Sequence, residues 1–273
     1  MSARKLSVAD GPAFLRLMKR YVVDYTNSHD QAETATIMEP DYTLRMGEHV
    51  LIGRDGAYAQ ATRRQLEQFP GLGLTVHEIW TSGERLAMRF SEHGASMRHS
   101  GARATWGGIG IYRWNGTRLT ENMVEQDYLS RASQLASGVP NRVESPAIAP
   151  WDTPTAAPDE HATRVVQAWL ETGEFVGTAG VLCDDAWTGA QMLRIVDQSS
   201  ITINDIFSCG SVVAFHVTQH GTLAADFAQD PVERGLPVTL HSAGIVHLTP
   251  SGIESGRIIR NRLDLRRILD RRK

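Results

Sequence analysis

An internal repeat constrains the fold of this chain more than any other feature of its sequence. Residues 75–94 (TVHEIWTSGERLAMRFSEHG) align without a gap with residues 202–221 (TINDIFSCGSVVAFHVTQHG). Further along, GIYRW at 110–114 corresponds to GIVHL at 244–248. The two stretches are 127 residues apart (202 minus 75), which is much longer than the period of solenoid repeats. The sequence therefore predicts two copies of one domain.

A proline-rich segment separates the two copies. Residues 137–159 hold five of the eleven prolines of the chain. Because proline lacks a backbone donor and restricts the residue before it, this segment is predicted to be an extended linker. The predicted boundaries are residues 1–136 for the first domain, 137–159 for the linker and 160–273 for the second domain.

Each copy begins with apolar residues at helical spacing, and patterns typical of strands follow. The first helix is predicted from an apolar stripe, with Asp10 as its N-cap; the stripe consists of Phe14, Leu17, Met18, Tyr21 and Tyr25. Two more helices are predicted over DQAETATIM and DGAYAQATRRQLEQF, followed by strands at 74–80, 85–93, 104–114 and 118–127. Glycines 107, 108 and 110 predict a bend or bulge in the third of these strands. Helices followed by an antiparallel meander are typical of an α+β fold, here a curved sheet that forms a cone with a pocket.

Composition excludes several classes of function. Apolar residues make up 41% of the chain, charged residues 22%, and the net charge is −3. No apolar run reaches the roughly 20 residues of a membrane helix, and no signal peptide is recognised. Two cysteines predict neither a disulfide framework nor a zinc site, and GxSxG, phosphate-loop and GxGxxG motifs are absent. We therefore expect a cytoplasmic protein with no nucleic-acid or membrane partner, no metal and no cofactor.

Several segments of the first copy occur in a recognisable order. They are YTNSHD at 25–30, PDYTLRMG at 40–47, IGRDGAYAQ at 52–60, and the longer stretches 69–90 and 114–135. This ordered set resembles the SnoaL-like polyketide cyclases of the NTF2-like superfamily. The resemblance implies an α+β fold with two NTF2-like (cystatin-like cone) domains, each a curved antiparallel sheet wrapped around N-terminal helices.

The second copy departs from the pattern of this family. Asn261 stands where Asp127 stands in the first copy, and the stretch that holds the third helix is shorter. We therefore expect the second copy to be mainly a structural partner. Domains of this superfamily commonly pair through their sheets, so the resemblance implies an intrachain pseudo-dimer. A second ligand site and a homo-oligomer are left open.

The stretch ENMVEQDYL at 121–129 predicts the catalytic groups. In a strand, Glu121, Met123, Glu125 and Asp127 face one side, and Glu125 and Asp127 lie about 7 Å apart at the backbone. A carboxylate in a partly apolar cone has a raised pKa, which suits a general acid or base. The resemblance also places an Asp at position 127. Asp127 and Glu125 are therefore predicted to be catalytic, with an ion pair to an arginine as the structural alternative for each.

The resemblance also places polar residues of the first helix at the pocket mouth. His29 is the nearest catalytic candidate, and the alternative is that His29 and Asp30 cap the next helix. Polar and aromatic side chains are further predicted to bind substrate. They are Tyr42, Arg45, His49, Trp80, Met88, Phe90, Trp106, Tyr112 and Met123.

Two classes of function remain open at this point. The first is a cofactor-independent acid–base enzyme, a lyase or cyclase of the aldol or retro-aldol type, acting on a hydrophobic, oxygenated, aromatic small molecule. An isomerase or dehydratase would use the same proton transfers. The second is a non-catalytic ligand-binding or scaffold protein. The row of inward acids favours the enzyme, because burying unpaired carboxylates is costly.

Overall fold

The N-terminal half of the chain forms a six-stranded sheet in a computed structural model that describes residues 5–272. The strand order is β2-β1-β6-β5-β4-β3, and only β1 and β6 pair in parallel. The strands are β1 (Met38–Met46), β2 (His49–Ile52), β3 (Gly73–Thr81), β4 (Arg85–Ser96), β5 (Ala102–Trp114) and β6 (Leu119–Gln126). The four predicted strands are thus confirmed as β3 to β6.

Helices fill the concave side of this sheet. They are α1 (Gly11–Arg20), which a π-helical segment (Tyr21–Asn27) extends, α2 (Thr34–Ile37), α3 (Ala59–Gln68) and α4 (Tyr128–Ser137). All five residues of the predicted stripe are buried in one apolar cluster. Asp10 does occupy the position before α1, but its carboxylate accepts from the Ser7 backbone N–H and so caps the preceding turn. Asp30 caps the turn before α2 as predicted, since it accepts from Ala32 N–H.

The C-terminal half repeats this architecture with five strands. Their order is β7-β11-β10-β9-β8, with β7 and β11 parallel. The elements are α5 (Glu160–Glu171), β7 (Val181–Cys183), β8 (Val196–Cys209), β9 (Val212–Leu223), β10 (Pro237–Thr249), β11 (Gly252–Arg260) and α6 (Arg262–Asp270). Between β7 and β8 the chain forms only a 3₁₀ turn (Ala186–Thr188). The shorter sequence of this copy predicts a third helix that is truncated or lost, and among the described residues it is lost.

The two sheets pack against each other through their outer faces. The shared apolar cluster takes Ala87, Ile109 and Ile111 from the first sheet and residues such as Phe207 and Ile245 from the second. Strands of the first sheet are therefore covered on both sides, by helices on one face and by the second domain on the other. The chain folds as two domains of similar architecture that are paired within one polypeptide, as the resemblance implies.

The segment between the domains is extended but held in place. Apart from a 3₁₀ turn at Pro150–Asp152, residues 139–159 contain no helix or strand. Glu144 pairs with Arg89 of the first domain and with Arg257 of the second. The linker therefore fastens the two domains together.

Within residues 5–272, no helix is long and apolar enough to cross a membrane.

Candidate functional site

A cavity of about 340 Å³ lies between the concave face of the first sheet and its helices. Tyr21 and Tyr25 line it from the helical side, and Phe90 and Tyr112 line it from the sheet. A pocket of this size with mostly apolar walls and a few polar groups is typical of a small-molecule site. The cavity therefore defines the candidate site.

Two glycines of β5 make room for the aromatic wall. A Cβ atom at Gly108 would lie 2.4 Å from the Phe90 ring, and one at Gly110 would lie 2.9 Å from the Tyr112 ring. The pairing of β5 with β4 runs without a register shift through both glycines, so the predicted bulge is wrong. These glycines instead let two aromatic rings lie flat over the sheet.

Glu92 is the carboxyl group of the cavity. It lies on β4 two residues after Phe90, so both side chains face inward. Gln65 Nε2 of α3 donates to Glu92 Oε2 at 2.7 Å. Burial raises the pKa of Glu92 to about 7, although the positive charge of Arg131 opposes the rise. Near neutral pH this group can therefore both give and take a proton.

Arg131 brings a guanidinium group to the same cavity. It lies on the first turns of α4, and its Cζ atom is 4.0 Å from the centre of the Tyr128 ring and 5.0 Å from that of Trp106. Burial lowers its pKa from the usual value of arginine. The group nevertheless stays charged, because an arginine titrates far above neutral pH.

Phenol groups line part of the cavity. Tyr25 donates its hydroxyl to the Tyr58 hydroxyl at 3.1 Å and lies 3.2 Å from the Thr62 hydroxyl. Burial raises the pKa values of Tyr21, Tyr25 and Tyr58. These phenols are therefore neutral hydrogen-bond donors at physiological pH.

His29 lines the cavity near its helical rim. It has a left-handed backbone conformation with φ of 60°, and its Nε2 donates to the Leu72 carbonyl at 2.7 Å. In a neutral imidazole the remaining nitrogen, Nδ1, is then an acceptor. His29 and Asp30 thus take separate roles, since Asp30 alone caps the following turn.

Comparison with family models decides the identity of the first domain. Residues 18–122 match the model described as the SnoaL-like domain. The first copy thus matches the SnoaL-like domain over these residues. The matched residues include Glu92 and most of the other residues that line the cavity, whereas Arg131 on α4 lies beyond the match.

Several solved structures are similar to about half of this chain, at low sequence identity. A candidate SnoaL-like polyketide cyclase from Jannaschia sp. CCS1 is 12% identical over 50% of this chain and 98% of its own, with a TM-score of 0.43. TsrD from Streptomyces laurentii is 23% identical over 49% of this chain and 99% of its own, with a TM-score of 0.41. An LEH-like epoxide hydrolase of M. tuberculosis is 15% identical over 45% of this chain and 85% of its own, with a TM-score of 0.39. No curated protein matches the chain.

The prediction that Asp127 faces the pocket of the SnoaL-like domain is wrong. Asp127 is the N-cap of α4, where it accepts from Ser130 N–H, and both of its oxygens lie within 2.7 Å of Arg262 Nη2 from the second domain. Burial raises the pKa of Asp127, and the guanidinium opposes that rise. The residue is 1% exposed and does not border the cavity. The structural alternative, an ion pair with an arginine, describes this residue.

Glu125 also faces the second domain. Its Oε1 accepts from Gly47 N–H and lies 2.9 Å from His216 Nε2. Glu121 pairs with Arg45 at 2.8 Å. The alternation along β6 is as predicted, but the cavity receives the other set of side chains, Asn122, Val124 and Gln126. The error arises because both faces of β6 are covered, so alternation alone does not tell which face is the concave one.

The remaining predicted site residues divide into three groups. Phe90, Tyr112 and His29 line the cavity. Met88, Tyr42 and Trp106 are buried behind its wall, with Tyr42 edge-on to Tyr58 at 5.1 Å between ring centres. The others lie elsewhere: Trp80 and Met123 on the face toward the second domain, Arg45 in its surface ion pair, and His49 3.5 Å from Asp264.

Sequence reasoning missed Glu92 and Arg131. The signal for Glu92 was present, because Met88 and Phe90 were placed inward and the same alternation extends to residue 92. Arg131 carries no such signal, since only the packing of α4 against β5 brings it to the cavity.

Proposed function

We propose that the SnoaL-like domain is a cofactor-independent acid–base enzyme in which Glu92 moves the proton. Its substrate is a hydrophobic, oxygenated, aromatic small molecule held in the cavity. The observation that supports this most is a carboxyl group with a pKa of about 7 inside an aromatic cavity of about 340 Å³. General acid–base catalysis of this kind is carried out by side chains of the protein.

The proposed reaction begins at a carbon beside a carbonyl group. The ionised Glu92 takes a proton from that carbon, and the electron pair of the broken C–H bond moves toward the carbonyl oxygen to give an enolate. The Gln65 hydrogen bond to Oε2 orients the carboxylate. A pKa near the working pH favours both the removal and the later return of the proton.

Neutral donors in the cavity would stabilise the enolate oxygen. Tyr25 donates to Tyr58, and the Tyr21 hydroxyl also interacts with Tyr58, so the three phenols form one hydrogen-bonded group at the cavity. His29 adds an imidazole at the rim. Preorganised donors in a site that excludes water act strongly on a developing negative charge. In a cyclase, the enolate then attacks a second carbonyl. In a retro-aldol lyase, Glu92 instead takes the proton of a β-hydroxyl group, the bond between the α and β carbons breaks, and the enolate that results takes the proton back from Glu92. An isomerase returns the proton to a different carbon, and a dehydratase uses the protonated Glu92 to release a β-hydroxyl group as water.

A non-catalytic ligand-binding protein is the second candidate. The observation that favours it is the ion pair that removes Asp127 from the cavity, because the resemblance had placed the acid at that position. A pure binding protein would hold aromatic ligands equally well with a neutral group at position 92. The two functions therefore differ in what Glu92 does.

Deuterium exchange tests the proposal without the natural substrate. We expect the protein to accelerate exchange of the α-protons of 1-tetralone or 2-tetralone in D₂O, followed by ¹H NMR. Glu92→Gln should remove the acceleration, by about 100-fold or more as for loss of a general base. Glu67→Gln, on the exposed face of α3, is the matched control. Equal exchange by Glu92→Gln and the unchanged protein, or no acceleration with either ketone, would favour the binding protein.

A further inference from the structure

We propose that Arg131 forms a carboxylate-binding subsite, so that the cavity takes aromatic acids. This inference names the substrate class of the site proposed above and rests on that site being the ligand pocket. The guanidinium lines the cavity, yet within residues 5–272 it has no ion pair or side-chain hydrogen bond. Arg260, Arg262 and Arg266 are buried, and each holds a carboxylate of the protein, whereas Arg131 is half-buried. Arg131 differs from them in leaving its donors open to a guest.

The charge of the cavity agrees with an anionic guest. Arg64 and Arg98 line it as well, and neither has an ion pair within the described part of the chain. Glu92 is the one carboxyl group among the lining side chains of the described residues. Three arginines and a single acid thus line the cavity; Arg64 and Arg98 are exposed, and the pKa of the acid is raised to about 7. The lining is therefore positive without a guest, and a negative guest would balance it.

The aromatic surroundings of Arg131 favour a carboxylate on a flat ring. Tyr128, Trp106 and Phe69 lie 4.0, 5.0 and 5.5 Å from the guanidinium carbon. These rings contact the guanidinium but do not accept its five N–H donors, which match the planar fork of a carboxylate. A doubly charged phosphate would meet the ionised Glu92 in the same cavity. A singly charged planar acid fits both groups.

Binding at Arg131 would be coupled to the protonation of Glu92. Arg131 from α4 lowers the pKa of Glu92, and so does the hydrogen bond from Gln65 of α3. A bound carboxylate neutralises Arg131 and adds a second negative charge beside Glu92. The acid would then bind together with a proton, and its affinity would fall as the pH rises above 7.

Calorimetric titration with matched probes tests this inference. We would titrate the full chain with 1-naphthoate, 2-naphthoate and anthracene-2-carboxylate, and with the carboxamide of each, at pH 6.5 and low salt. We expect at least one acid to bind about 10-fold more tightly than its amide, the usual advantage of a hydrogen bond to a charged group. In two buffers of different ionisation enthalpy, this binding should take up protons.

Variants assign the preference to one side chain. Arg131→Met keeps an unbranched stem against the rings and should abolish the preference for the acid, whereas Arg131→Lys should keep part of it. Arg234→Met, at an exposed arginine of the second domain, should change nothing. Equal binding of acids and amides, no binding by any acid, or an unchanged preference in a folded Arg131→Met would overturn the inference. Glu92→Gln should keep the preference, so failure of the catalytic proposal would leave this result intact.

Discussion

Arg262 Nη2 lies 2.6 Å from Asp127 Oδ2, and this contact joins the last helix of the second domain to the last helix of the first. Asp127 caps α4, and Asn261, its counterpart in the repeat, caps α6. Asp184 and Asp185 of the second domain complete the surroundings of Arg262. The acid that the sequence places at the centre of catalysis is thus part of the interface between the two domains.

Removal of Arg262 should destabilise the fold without a direct effect on the cavity. Arg262→Gln would leave Asp127 and Asp184 buried without their shared cation, at a cost of about 3 kcal/mol in the free energy of unfolding. Arg267→Gln, in the same helix but largely exposed, should cost under about 0.5 kcal/mol. Urea denaturation of both variants measures the difference. Equal stabilities would show that this ion pair does not hold the domains together.

Glu92 should make the fold less stable as the pH rises from about 4.5 to 7. Its pKa is raised from 4.5 to about 7 in the folded protein, so the folded state binds the proton more tightly than the unfolded state. The free energy of unfolding then falls with pH across this window, by up to about 3 kcal/mol for this group alone.

Glu92→Gln isolates this contribution. Because Gln carries no charge, the variant should be about as stable as the unchanged protein at pH 4.5 and more stable at pH 8. Urea denaturation at both values measures the two differences, with Glu67→Gln as the control. A variant that is less stable at pH 8 would contradict the assignment.

Gly108→Ala should close part of the cavity. The added Cβ would collide with the Phe90 ring, which has to move into the cavity or force the strands apart. We expect a loss of about 1–3 kcal/mol in stability, as for overpacked sites, and weaker binding of naphthoate. Gly56→Ala, whose added Cβ would have no neighbour within 4 Å, is the matched control. Unchanged binding in Gly108→Ala would show that Phe90 does not shape the site.

The sequence predicts the duplicated fold well because the repeat, the turns and the strand alternation are local signals. Strands β3 to β6, the stripe of α1 and the missing third helix of the second copy all follow from such patterns. The outer face of the first sheet is different, since it is covered by a domain more than 100 residues away in sequence. Alternation in β6 therefore separated Glu125 from Gln126 correctly but could not say which of them faces the ligand.

The candidate site was predictable only in part for the same reason. Phe90 and Tyr112 were placed correctly by their size and their strand positions. Asp127 was misplaced because an aspartate after a strand can be either a helix N-cap or a pocket acid, and the sequence does not distinguish the two roles. Arg262 and Asp127 are 135 positions apart, and no local pattern indicates that they meet.

The pKa of Glu92 is the most direct test of the central claim. With ¹³C-labelled glutamate, the signal of the Glu92 carboxyl carbon can be assigned by its loss in Glu92→Gln and followed from pH 3 to pH 9. A midpoint near 7, which rises further when naphthoate is bound, is the predicted result. A midpoint near that of an ordinary glutamate, unchanged by naphthoate, would contradict the account.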